Sequence, residues 1–194
     1  MPKIVDHDEF RQELLEKYFD LFAKTGYLNV SMREIAAQMG VTTGTLYHYF
    51  PNKNNLLEEL FYMASRQDTS EALAKIPNNA TLAERTKVFC EFVEEKEVYF
   101  QDIVLLTIDN FRYKYLADHQ DFTLINEADN HYGNKIAEGL ELDDKYGFML
   151  AIFLNGLVYH RLVFPDSVSF SEQIQLFQEM FTTFLQNENN IRKE

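Results

Sequence analysis

One cysteine, Cys90, is all that 194 residues contain, so no internal disulfide braces the chain. A reducing compartment is the expected setting. Tryptophan is absent, and there are only seven glycines and four prolines. With so few breaks, long helices are favoured over many short strands and turns. Positive charge is scarce too: 18 Lys and Arg face 31 Asp and Glu, a formal net charge of −13. Such a chain, taken whole, repels a polyanion. The longest wholly apolar run, Phe148 to Leu154, is far below the roughly 20 residues that cross a bilayer. MPKIVDHDEF at the start has no basic stretch leading into an apolar one, the mark of a signal peptide. The expectation is a soluble cytoplasmic protein with no membrane partner.

What the chain does have is aromatic mass, 17 Phe and 11 Tyr within a hydrophobic content of 46%. Its apolar residues recur at helical spacing. Phe10, Leu14, Tyr18, Leu21 and Phe22 predict a first helix that stops at Gly26. Ser31-Met32-Arg33-Glu34 is a capping box that opens a short second helix, with Ile35, Ala36 and Met39 inward and Gly40 at its end. A third helix is expected over Thr42–Tyr49, before Pro51, and a long fourth one capped by Asn52. Pro77-Asn78-Asn79 is the clearest punctuation. The expected division is a helix-turn-helix domain over 1–52, a connecting helix over 53–76, and a larger helical domain over 77–194. Tyr99 to Leu116 is apolar nearly all round and is expected to be buried. Helices carrying Phe122 to Leu140, Asp143 to Phe164 and Phe170 onward complete an all-α chain of about nine helices.

The charge has a local exception. Within 24–57, Lys24, Arg33 and Lys53 face Glu34 alone. Here the sequence runs GVTTGTLYHYFPNK. Helix, tight turn at Gly40 and helix is the plan of a helix-turn-helix, whose second helix enters the DNA major groove N-terminus first. Thr42, Thr43 and Thr45 at that leading end suit base edges and thymine methyls, and Gly44 lets the backbone come close. Tyr47 and His48, further along, suit phosphate and sugar. Lys53 with the first amides of the fourth helix, and Ser31 at the second, suit phosphate.

Residues 26 to 60, GYLNVSMREIAAQMGVTTGTLYHYFPNKNNLLEEL, resemble the DNA-binding segment of the TetR family of bacterial transcriptional regulators. Gly26-Tyr27, Ser31 to Ala36, Gly40-Val41, Gly44 to Tyr47, Tyr49-Phe50 and Lys53 carry the likeness. The resemblance implies an all-helical, cytoplasmic, nucleoid-associated homodimer with three DNA-binding N-terminal helices. It also implies a palindromic operator, a C-terminal domain that binds a small-molecule effector, and repression that the effector relieves. Carried over by position, Arg33, Thr42, Thr43 and Gly44 match base-reading sites, while Tyr47, His48 and Lys53 match phosphate contacts. The first helix is more acidic than that pattern, with Asp6, Asp8, Glu9, Glu13, Glu16 and Asp20, and an N-terminal basic arm is reduced to Lys3. Weak non-specific affinity is the consequence.

Beyond residue 77 no ligand specificity is legible. Polar groups on apolar stripes are the candidates: Arg85, Asp129 and Asn155, lining a ligand site with Phe89, Phe92, Phe111 and Tyr159, or else merely positioning helices. Tyr146, Leu150, Phe153 and Leu157, with Phe177, Phe181 and Phe184, are the expected dimer seam. His7, His48, His119, His131 and His160 have no paired spacing, so neither metal nor cofactor is expected. Ser-His-Asp, Cys-His, phosphate-loop and HExxH patterns are missing, so an enzyme is not expected. An enzyme or a protein-interaction adaptor with a tethered helix-turn-helix is the alternative class.

Overall fold

A computed structural model describes residues 7–116 and 122–191, with side chains as far as residue 185. Lys3, Asp6 and His119 lie outside the described residues. Every described element is helical: α1 (His7–Thr25), a 3₁₀ turn (Tyr27–Asn29), α2 (Met32–Met39), α3 (Thr43–Tyr49), α4 (Lys53–Ala74), α5 (Leu82–Glu95), α6 (Glu97–Leu116), α7 (Thr123–Leu140), α8 (Asp144–Val163) and α9 (Phe170–Ile191).

Two compact units divide the chain. Unit 1 is Met1–Ala64 with Asp102–Ala128, and unit 2 is Ser65–Gln101 with Asp129–Glu194. Neither matches a break at residue 77. Leu106 of α6 and Ala128 of α7 belong to the same apolar cluster as the N-terminal helices, and α6 from Asp102 onward goes with unit 1.

The centre of unit 1 holds Leu14, Tyr18 and Phe22 of α1, Tyr27, Ile35 and Ala36, Leu46 of α3, Phe50, and Leu56, Leu57 and Leu60 of α4, all almost fully buried. Gly26 ends α1 with φ +76, where a β-carbon is strained.

α6 is not buried all round. Leu105, Ile108, Phe111, Tyr115 and Leu116 are exposed, while Asn110 and Lys114 are buried. The cause is polar pairing with α4. Lys114 forms an ion pair with Glu58, and Asn110 Nδ2 donates to Asn54 Oδ1 at 3.0 Å. Breaking such a buried pair would leave a lone charge, which costs several kcal/mol, roughly 3–5. That outweighs the gain from burying one exposed side chain, about 1.5–3 kcal/mol.

Unit 2 packs α5 and α8 against α9. Phe153 stacks on Phe177 with centroids 4.0 Å apart, Phe177 stacks on Phe181 at 5.3 Å, and Tyr146 meets Phe181 edge-on at 6.2 Å. α7 and α8 approach through glycines: a β-carbon on Gly147 would clash with the Gly133 carbonyl oxygen and with Ala137. α8 is long and apolar enough to cross a membrane, yet Leu150, Leu154, Leu157 and Val158 are buried inside unit 2, so it is a core helix.

The Phe stripe expected at the dimer seam therefore packs within unit 2. Tyr146, Leu150, Leu157 and Phe181 are buried within the unit, Phe153 and Phe177 are half-buried against each other, and of the seven only Phe184 is exposed. The apolar face left open is the other one: Met149, Ile152, Tyr159 and Val163 of α8, with Leu176, Met180 and Phe184 of α9.

Candidate nucleic-acid interface

α2 begins at a complete capping box. Glu34 N–H donates to Ser31 Oγ at 3.3 Å, and Glu34 Oε2 accepts from Ser31 N–H at 2.8 Å and from Ser31 Oγ at 2.7 Å. Those bonds hold the Glu34 carboxyl below its ordinary range. Ser31 is thereby engaged as a cap. Gly40 ends α2 in the left-handed region, φ +72 and ψ 26. Its N–H reaches Ala37 O at 3.2 Å, and Val41 N–H reaches Ala36 O at 3.0 Å. Both bonds satisfy carbonyls at the helix end and fix the direction in which the chain enters α3.

α3 starts on Thr42, whose Oγ1 accepts the Thr45 N–H at 3.0 Å and lies 2.8 Å from Thr45 Oγ1. One hydroxyl of the threonine group is thus spent on capping, and Thr45 is tied to it. Thr43 is half-buried, and Gly44, Tyr47 and His48 are exposed. Leu46 and Phe50 turn inward and are completely buried, so they set which side of α3 faces out. Arg33 is exposed on α2. One surface of unit 1 therefore offers a guanidinium, hydroxyls, a glycine, a phenol and an imidazole.

Lys53 is placed differently from a lysine free to meet phosphate. Its Nζ donates to Tyr27 O at 2.8 Å and to Val30 O at 2.9 Å, and lies 4.4 Å from the Tyr27 ring centroid. Partial burial lowers its ammonium from the ordinary value, with Glu34 acting the other way. Three N–H bonds are available to an ammonium, so two are used in tying the start of α4 to the turn before α2. Asn52 Oδ1 accepts the Asn55 N–H at 2.8 Å, capping α4 as expected.

Contacts that no local spacing announces also brace this surface. His7 Nδ1 lies 2.8 Å from Tyr49 Oη, joining the first turn of α1 to the end of α3. Arg11 donates to Glu59 at 2.5–2.8 Å and packs over the Phe50 ring, 5.0 Å away. Asp109 Oδ2 accepts the Tyr27 N–H at 3.3 Å.

The seven residues expected around a ligand do not converge. Arg85 is committed to the Ala80 and Gly139 carbonyls, each at 3.0 Å, and to Glu141 at 2.7 Å. It joins the start of α5 to the end of α7 and borders an open cleft of about 580 Å³ with Leu73, Ile76 and Glu138. Phe89 and Phe92 are buried in unit 2, whereas Phe111 is exposed in unit 1, stacked on Tyr115 and Phe122. Asp129 is exposed, because Ala128, Gly133 and Ile136 take the buried positions around it. Asn155 and Tyr159 face outward on α8. The inward carboxylate of unit 2 is instead Asp68, only 3% exposed. Cys90 is buried and free, its thiol pushed up to about 12 by that burial, so it is an inert packing residue at neutral pH. Among the described residues no cluster of three or more His, Cys, Asp or Glu forms a metal site.

This geometry matches known proteins. The profile of bacterial regulatory proteins, tetR family, matches residues 14–60, which run from within α1 into the start of α4. The HTH-type transcriptional regulator PksA of Bacillus subtilis (strain 168) is 28% identical over 108 residues, covering 52% of this chain and 53% of that protein. The HTH-type transcriptional repressor KstR2 of Rhodococcus jostii (strain RHA1) is 27% identical over 118 residues, 56% of each. In both matches the chain spans about half the length of the relative. Among solved structures, the fatty acid degradation regulator FadR from Bacillus halodurans superposes with a TM-score of 0.68 at 20% identity, over 88% of this chain and 93% of that one. At that identity the likeness is one of fold. Motif, fold and matched relatives agree: residues 14–60 form a domain of the tetR family of bacterial regulatory proteins, and the chain as a whole shares the fold of solved regulators.

Proposed function

We propose that this protein is a sequence-specific DNA-binding transcriptional regulator, a repressor that sits on a palindromic operator as a homodimer and is released by a small effector. The observation that carries the proposal is the α2–α3 pair: its buried side is fully packed, and its open side presents Arg33, Thr43, Gly44, Tyr47 and His48. Gly44 and the threonines admit the backbone of α3 to base edges. Arg33 and the ring groups contact base or phosphate, and Ser31 and Lys53 hold the elements that present them. The dimer forms through the open apolar face of α8 and α9. Its exposed residues lie three, four or seven positions apart, 149, 152, 159 and 163 on α8 and 176, 180 and 184 on α9, the spacing of a helix–helix seam.

The acidic remainder shapes selectivity. With −13 overall, attraction to arbitrary DNA is weak, so binding depends on the fitted surface. Fluorescence anisotropy with labelled duplex across a salt series tests this. Log affinity should fall linearly with log salt, with a slope of about 0.9 per phosphate neutralised. Affinity that is insensitive to salt, or no duplex binding at low salt, contradicts the proposal.

A further inference from the structure

Unit 2 buries a carboxylate that its own helices do not neutralise. Asp68 of α4 is 3% exposed. The phenols of Tyr99 on α6 and Tyr132 on α7 both donate to its Oδ2, at 3.1 and 2.7 Å. Oδ1 takes no part in either bond. Among the described residues no ammonium or guanidinium lies within ion-pair distance of Asp68. The nearby Lys96 is already paired, its Nζ 2.5 Å from Glu71, and it lies 4.5 Å from the Phe92 ring centroid and 5.8 Å from that of Tyr99. Burial pushes the Asp68 carboxyl above its ordinary range. The two phenol bonds oppose that push, and the charges of Lys96 and Glu71 act in opposite directions.

An ionised group with neutral donors alone is unfavourable in an interior. A staple joining α4, α6 and α7 needs only an acceptor, which an amide supplies without a charge. Perturbed carboxylates among converging aromatic rings are the chemistry of recognition. We propose that Asp68, Tyr99 and Tyr132 form the recognition group of an effector site in unit 2, and that its ligand is a small organic cation, an amine or a quaternary ammonium. The proposal rests on the effector-responsive function above. A ligand ammonium supplies the missing positive charge at Oδ1, and the Tyr99, Tyr132 and Phe92 rings supply π faces. Lys96 already places a cation against two of those rings. An anionic ligand meets Asp68 and Glu71 as like charges.

Isothermal titration of the full chain, without DNA, tests this with choline and benzyltrimethylammonium. The controls are the uncharged analogues in which carbon replaces nitrogen, and tert-butylacetate as an anion. The cations should bind at least about tenfold more tightly than their carbon analogues. Asp68→Asn, checked for a cooperative melt, should lose that preference. Carbon analogues that bind as well, no cation binding at about 10 mM, or a folded Asp68→Asn variant that keeps the preference overturns the proposal. If that variant does not fold, the wild type decides through pH. Choline does not titrate, so its affinity must rise as Asp68 ionises with increasing pH, and a flat profile overturns the assignment. Release of bound duplex is read separately. Cation binding without release keeps the site and removes the effector function. Release by a neutral or anionic compound, with no cation binding, keeps the function and removes this site.

Discussion

Lys53 ties together the elements that carry the candidate DNA surface. Its ammonium clasps the Tyr27 and Val30 carbonyls and so sets where α2 begins relative to α4. Hydrogen bonds from a charged group contribute about 1.5–3 kcal/mol, so Lys53→Ala should lower unit 1 stability by that order in urea melts, and weaken binding to all duplexes alike. Arg33, exposed and carrying no such tie, should behave oppositely. Arg33→Ala should leave the melt unchanged and relax preference at one base pair, read by competition among single-substituted duplexes. Single residues were also where the sequence misled. Asp129 looked inward because Ile125, Tyr132 and Ile136 surround it at helical spacing, but Ala128 and Gly133 fill the buried side. Asp68 is the buried carboxylate of unit 2, and the signal was there: it continues the stripe of Phe61, Ala64 and Ser65 along α4, all buried. Arg85 sits on its apolar face as expected, but besides the nearby Ala80 carbonyl its partners are the Gly139 carbonyl and Glu141, more than fifty residues away in sequence.

At the scale of elements, local chemistry announced the helix ends. Ser31–Glu34 forms the capping box its spacing predicts, and Thr81–Glu84 forms a second at the start of α5. Glu34 and Glu84 are both held below the ordinary carboxylate range by these bonds. A depressed carboxylate stabilises the fold above its unfolded pKa, and that contribution is lost as pH falls through the lower folded value. Wild type should therefore melt above Glu34→Gln at neutral pH, and the gap should close as pH drops through and below the carboxylate range. A gap independent of pH would show that the carboxylate charge plays no part in the cap. α6 departs from its expected burial. Its composition is apolar on every side, but Asn110 and Lys114 find partners on α4 and pull the polar side inward. Composition along one helix cannot reveal a partner 56 residues away in sequence.

For the whole molecule, helix count and the helix-turn-helix followed from patterning, because periodicity and capping act within a few residues. Which face of α8 stays open did not, since both faces are apolar and only packing against α9 distinguishes them. The Phe stripe is used inside unit 2, leaving Ile152 at 70% and Met180 at 64% exposed. A charge placed there should not disturb the monomer. Ile152→Glu is expected to weaken self-association at least about tenfold, the loss of one buried aliphatic contact, in sedimentation velocity at constant melting temperature. Loss of folding instead would place Ile152 in the core.

DNA recognition by the α3 surface is tested most directly by selecting bound duplexes from a random pool with the full chain at low salt, followed by sequencing. The expected outcome is an enriched motif made of two inverted half-sites, as a two-fold dimer requires, which Arg33→Ala broadens at one position in each half. A pool that stays random after repeated rounds, or a motif with no inverted symmetry, would contradict a dimeric operator-binding protein.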